Sequence, residues 1–286
     1  MIRRPKPKRI FLLIAGLAIL AFVVISLTRC QATRVELSDQ LASYSDQPLR
    51  VVLTRHVSEG LVDYEGLGKQ SRKPLDIYLD GVARFGPHST PEVFPAATDR
   101  LAYYLNAYNA IMLRKWLDDG AGEDKITRTV NKAWFFFDLW RVDGRWISLD
   151  KLEQTIIRPR YKDSRSHFAL VCGAMSCPPL LDEPFVGSRL DEQLDRLGRQ
   201  WLTEPDGLDV RADGAVYMSS IFSWYAEDFK DAGGLAGVLT RYLAEDDPRR
   251  EAALNAAREG RIQFMDYDWS INRQSPPGPP GGKANP

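Results

Sequence analysis

The stretch Ser166-His167-Phe168-Ala169-Leu170-Val171-Cys172-Gly173-Ala174-Met175-Ser176-Cys177-Pro178-Pro179-Leu180 decides how the chain is read. An apolar run, a glycine turn and a Cys-Pro-Pro corner follow one another, the pattern of a buried strand and a change of direction. The chain holds three histidines and three cysteines, and one of the former and two of the latter fall here. Strand alternation puts His167, Ala169 and Val171 on one face, and Phe168, Leu170 and Cys172 on the other. Cys172 then points away from His167, and Cys177, beyond the turn, is the sulfur able to fold back to the imidazole. Plainer readings stand beside this one: Cys172 as a small core hydrophobe, a local Cys172–Cys177 disulfide, and His167 as a satisfied core histidine. The His-x4-Cys-x4-Cys spacing has no Cys-x2-Cys knuckle, and no metal site is read from it.

Upstream, Leu75, Tyr78, Leu79, Val82 and Phe85 recur at helical spacing, which predicts an amphipathic helix over 72–86. A second helix is predicted from an N-cap at Thr98, with Leu101, Leu105, Tyr108, Met112 and Trp116 as its core stripe. Asn106 and Asn109 flank that stripe. Half-buried amides must find partners, so they either tie down a neighbouring loop or orient a catalytic group or substrate. Residues 134–148 are rich in aromatic side chains, with Trp140 read as a possible ligand contact and Asp143-Gly144 as a hairpin turn. Ser148 caps a short helix carrying Glu153, and Pro159 is expected to end it. Glu153, beside apolar positions, needs a partner, for which Arg158, Arg160 and His167 are available.

Downstream, helices are expected from about residue 190, after Ser219 or Ser220, and over 235–257 with a break at Asp246-Asp247-Pro248. Strands are expected at 215–218 and 262–269. The Pro/Gly-rich tail, 273–286, is expected to be disordered. No internal repeat, phosphate-binding glycine loop or Gly-x-Ser-x-Gly elbow is present, and no cofactor is implied.

The 286 residues carry no net charge, but six basic and no acidic side chains lie in the first thirty. Nothing in the remaining, mildly acidic body suggests nucleic acid. Residues 1–9 form a basic tail before an uncharged run over 10–27, near the minimum length that crosses a bilayer. That pattern predicts a signal anchor with the body exported to the periplasm. Lipidation at Cys30 ranks below it, because Arg29 stands where a small residue normally precedes the acylated cysteine. Residues 28–54 then make a tether and first helix, and 55–272 the globular body. An oxidising compartment favours the disulfide.

With these pieces in view, the chain resembles the domain-of-unknown-function 547 family of bacteria and plants. Val62-Asp63-Tyr64, Leu105 to Ala110, Ser148 to Glu153 with Arg158-Pro159, His167 through Pro179, and Asp266-Tyr267-Asp268-Trp269 carry the resemblance. It departs from the common pattern after Glu153, where Gln154 replaces a frequent histidine. The mixture of helical stripes and short strands predicts an α+β fold, with helices packed on a small, mostly antiparallel sheet that includes the His167 strand. A rearranged papain- or transglutaminase-like arrangement is compatible with it. Two functions follow. In the first, Cys177 is a nucleophile, His167 its base and Glu153 the orienting carboxylate, with Asn106 as the other choice, acting on an amide or peptide. In the second, a Cys172–Cys177 disulfide stiffens a non-catalytic envelope module, and the aromatic segment with Asn109 and Trp140 binds a peptide, glycan or protein.

Overall fold

The computed structural model describes residues 42–121 and 132–274. The basic tail, the 10–27 segment, most of the tether and nearly all of the Pro/Gly-rich tail lie outside the described residues. Among the described residues, no helix is long and apolar enough to cross a membrane.

Helix α1 (Gln47–His56) packs on α2 (Arg72–Arg84), and α2 on α3 (Ala97–Asp118). Every residue of α3 from Leu101 to Trp116 is buried, so its apolar stripe is only the strongest part of a face that is covered all round. The polar positions survive burial because they are paired: Arg114 Nε donates to Asp76 at 2.6 Å, and Lys115 meets Asp138 at 2.8 Å. The helix starts one residue before the expected cap, and the Asp99 carboxylate reaches back to the Ala96 N–H at 3.0 Å.

A second packing centre is aromatic. Phe168, Trp201, Phe222, Phe229 and Tyr242 meet edge-to-face or stacked with centroids 5.0–6.3 Å apart. They come from α4 (Leu190–Thr203), α5 (Gly234–Tyr242), the short helix Ser220–Trp224, the turn after it that carries Phe229, and the His167 segment. Helix α6 (Arg250–Arg258) follows the expected break and packs on α5.

The fold is α+β, but the strands do not make one sheet. Strands β1 (Val57–Ser58) and β2 (Leu61–Val62) pair antiparallel, as do β3 (Trp140–Val142) and β4 (Arg145–Ile147). The β3–β4 turn has positive φ at both Asp143 and Gly144, as a two-residue hairpin of this twist requires. Strand β6 (Val216–Met218) pairs antiparallel with β5 (Leu208–Val210) and parallel with β7 (Gln263–Phe264).

Two expectations fail for identifiable reasons. Pro159 does not end its helix: the run continues to Tyr161, because a π-helical turn over Leu152–Ile157 lets a new α segment begin at Arg158, where a proline's missing N–H costs nothing. The His167 segment is not a strand. Ser166–Ala169 is a helical turn, and residues 170–172 run on without strand pairing.

Candidate functional site

A buried, extended segment outside a sheet must find other partners for its backbone. Side chains supply them here. Asn109 Nδ2 donates to Ala169 O at 2.8 Å, and its Oδ1 accepts from Val171 N–H at 3.1 Å. Trp116 Nε1 donates to Cys172 O at 3.0 Å, and the Cys172 N–H points at Cys177 Sγ at 3.0 Å. One amide, one indole and one sulfur thus stand where neighbouring strands were expected. Asn106 treats the loop at Phe185 in the same way, donating to its carbonyl at 2.9 Å and accepting from its N–H at 2.8 Å. Of the two roles open to the asparagines, the structure displays loop tying: these bonds occupy both amides.

The sulfurs of Cys172 and Cys177 are bonded to each other. This corrects the expectation that Cys172 faces away from His167 while Cys177 folds back to it. That expectation rested on strand alternation, and a helical turn followed by irregular backbone does not alternate. Gly173 has a φ of +81°, and a Cβ there would sit 2.0 Å from the Trp116 indole nitrogen, so the loop turns where only glycine fits. The C-terminal segment is strapped across it: Met175 N–H donates to Ser270 O at 2.8 Å, and Asn272 N–H donates to Gly173 O at 2.9 Å. The Tyr267 hydroxyl touches both sulfurs, 3.3 Å from Cys172 Sγ and 3.1 Å from Cys177 Sγ.

His167 is buried and bonded elsewhere. Its Nε2 lies 2.7 Å from Asp228 Oδ2, and Arg158 grips the same carboxylate at 2.6 and 3.0 Å. The Arg158 guanidinium, ahead of the imidazole, holds the Asp228 carboxyl below the usual range. An ionised carboxylate has only lone pairs to offer, so Nε2–H donates. Burial outweighs Asp228 and lowers the His167 pKa to about 4, leaving the ring neutral. That ring stacks on Tyr225 with centroids 4.0 Å apart. The Tyr225 hydroxyl meets the carboxyl of Glu153, which burial lifts above the ordinary carboxyl range. Gln154 Nε2 donates to Glu153 Oε1 at 3.2 Å.

The structure therefore brings Glu153 to the hydroxyl of Tyr225 and His167 to its ring, while Cys177 is held by Tyr267. Tyr108, Tyr225 and Tyr267 lie within electrostatic reach of one another, which makes Glu153, His167 and Cys177 neighbours without placing a thiol on the imidazole. Trp140 is only 5 % exposed and packs in the β3–β4 hairpin against α2. Among the described residues, the large exposed rings are Phe136, Phe137, Trp146, Trp224, Phe264 and Trp269. Trp224, Tyr267 and Trp269 form one cluster, with centroids 4.4–5.9 Å apart.

A second histidine constellation escaped the sequence reading. His56 Nε2 lies 2.8 Å from Ser71 Oγ, and its Nδ1 lies 3.5 Å from Asp63 Oδ2. These are the residue types of a hydrolytic triad, but Ser71 is fully buried. Spacing alone gave no hint, since the β1–β2 hairpin and two short helical turns separate His56 from Ser71, fifteen positions on. Among the described residues, no group of three His, Cys, Asp or Glu side chains is placed to hold a metal ion.

Residues 95–202 match the family model described as Protein of unknown function, DUF547. That match covers α3, the Glu153 and His167 segments, both cysteines and most of α4. No curated protein and no solved structure matches the chain.

Proposed function

Starting from a chain that carries DUF547 sequence over residues 95–202, we propose that it is a membrane-anchored envelope module that binds a partner, and that its cysteines are structural. The 10–27 segment anchors it, and the body lies in the periplasm. One observation carries this reading: Cys172 and Cys177 are joined, with the Tyr267 hydroxyl on both sulfurs. A nucleophile must be a thiolate, and an oxidising compartment keeps such a pair closed. The closed loop supports the C-terminal strap, and the strap carries Tyr267 and Trp269 to the surface beside Trp224. The test is alkylation of the full chain taken from the periplasm without reductant. Cys172 and Cys177 should resist iodoacetamide, and only reductant should expose them; native labelling of Cys177 would remove this reading.

The thiol-enzyme reading is kept as the second, because Cys177, Glu153 and His167 all border the Tyr225–Tyr267 pair. It requires a dithiol reductant to open the disulfide. Cys177 would then attack an amide carbonyl, with a proton passing to the leaving nitrogen. Amide turnover that appears with reductant and vanishes in Cys177→Ser would favour it.

A further inference from the structure

Burial alternates from Phe137 to Val142. Phe137, Leu139 and Arg141 are exposed, Asp138 turns in to Lys115 at 2.8 Å, and Trp140 and Val142 are buried. Alternation of this kind sends Phe137, Leu139 and Arg141 to one side. The register of the β3–β4 hairpin adds a fourth residue to that side. Trp146 stands directly opposite Arg141, and opposed residues of an antiparallel pair project together. Phe137 and Trp146, at 67 % and 58 %, are the most exposed large apolar side chains among the described residues. Phe136 tilts against Phe137 with centroids 6.5 Å apart and widens the apolar strip. Exposed apolar groups gathered in this way mark a surface that something covers.

The strip is also cationic. Arg141 lies within it, and Arg145 is exposed beside the hairpin turn. Among the described residues, neither arginine has an ion-pair partner. Two bare guanidinium groups thus stand beside exposed rings on a body that is otherwise mildly acidic. Tryptophan, phenylalanine and leucine settle at the boundary between lipid headgroups and acyl chains, and arginine pairs with phosphate there.

The point where the tether joins the body selects the occupant. The described chain begins at residue 42, and the Tyr44 ring packs 5.5 Å from that of Tyr103. The Tyr103 hydroxyl and the Asp143 N–H both donate to Val82 O, each at 2.8 Å. The tether therefore leaves the body beside the Asp143-Gly144 turn. Fourteen residues, 28–41, separate that point from the uncharged 10–27 run. Even fully extended they reach no further than about 50 Å. A bilayer holding the 10–27 run is always within that distance, and a surface too weak to bind lipid alone becomes effective when the encounter is intramolecular.

We infer that the strip of Phe137, Leu139 and Trp146, with Arg141 and Arg145 beside it, docks on the anionic lipid surface in which the chain is anchored. This rests on the membrane-anchored part of the proposed function. It adds a second contact with the membrane and fixes which face the body turns to it.

The experiment reconstitutes the full chain in vesicles of phosphatidylethanolamine and phosphatidylglycerol with bromine on the acyl chains, and reads tryptophan fluorescence. Bromine quenches an indole only at contact, and the 10–27 run holds no tryptophan, so quenching reports the body alone. The wild-type chain should be quenched, and the surface change Trp146→Phe should remove most of that quenching. Trp224→Phe should leave it unchanged. Phe137→Ser keeps every tryptophan and should lower the ratio of docked to undocked body about tenfold. Arg141→Gln and Arg145→Gln should each lower it roughly fivefold, and less as salt is raised. An unquenched wild-type chain, quenching undiminished by Trp146→Phe and Phe137→Ser, or quenching lost in Trp224→Phe would overturn the inference. Self-association abolished by Phe137→Ser would do the same by assigning the strip to a second copy. A carbonate wash of the same vesicles separates the two claims. A chain that survives the wash unquenched removes this inference and leaves the anchor standing; a chain that washes away removes the anchor and this inference with it.

Discussion

His56 and His167 are alike in isolation and unlike in surroundings. Each is buried, and each has an aspartate at one ring nitrogen. His56 completes its bonding with the hydroxyl of Ser71, which is sealed in the joint between α1 and α2. His167 stacks on Tyr225, and its partner Asp228 lines an open cleft of about 570 Å³ with Tyr161, Arg165 and Asp195. Residue types alone would select the His56 group as the more enzyme-like, although its aspartate contact, at 3.5 Å, is longer than the 2.7 Å of His167. Access reverses the choice, because a sealed serine meets no substrate. The lesson is that constellation and opening are separate requirements.

The comparison can be broken most forcefully from the His167 side. Asn109→Leu strands two buried backbone groups, Ala169 O and Val171 N–H, and should cost about 4 kcal/mol at roughly 2 kcal/mol for each orphan. Urea unfolding of the full chain reads this. A loss below about 1 kcal/mol would mean that the His167 segment does not depend on α3 for its path.

Acid titration sharpens it next. The lowered pKa of His167 means that the unfolded chain binds the proton more readily between about 4 and 6.5. Stability from this group is full above about 6.5 and falls as pH drops toward 4, by about 3 kcal/mol at most. His56 is also lowered by burial and acts in the same direction. Glu153 acts oppositely: its raised pKa contributes stability below the ordinary carboxyl value that is lost as pH rises through the folded value. His167→Phe should flatten the acid slope and leave the smaller His56 share. A slope unchanged by that substitution would return the ring to solvent.

Reduction should have the next effect. Opening a loop this short removes about 2 kcal/mol by chain entropy, and it should loosen the strap at Tyr267 without disturbing His56. Thermal melts with and without a dithiol measure it, while Trp224 and Trp269 report the strap by fluorescence. Ser71→Ala should be the mildest, about 1 kcal/mol for one buried hydrogen bond, with no change in the quenching of tryptophan by brominated lipid. Lost quenching in that variant would show that the sealed group communicates with the surface.

How much of this was legible depends on whether the deciding contact is local. Helix α2, the Asp143-Gly144 hairpin, the Ser148 cap and the break near Pro248 are set by neighbours in sequence, and their patterns predicted them. The His167 segment has the composition of a strand, but its partners are side chains from a helix about sixty residues away, which no local pattern encodes. The disulfide stood among the readings of the cysteine loop. The strand phase separated Cys172 from His167 and favoured Cys177 as the sulfur beside the imidazole, a reading that failed once the strand did. Tyr267, the residue that ties the loop to the Trp224–Trp269 cluster, was visible only as part of Asp266-Tyr267-Asp268-Trp269, because its role is a contact some ninety residues from Cys177.

The central claim is that Cys172 and Cys177 are joined in the working protein. Non-reducing peptide mapping of the full chain, blocked with iodoacetamide in the periplasm before lysis, tests it most directly. The account predicts one linked peptide containing both cysteines, free of label, that separates into two labelled sites only after reduction. A native sample in which Cys177 carries the label and Cys172 is unlinked would contradict it.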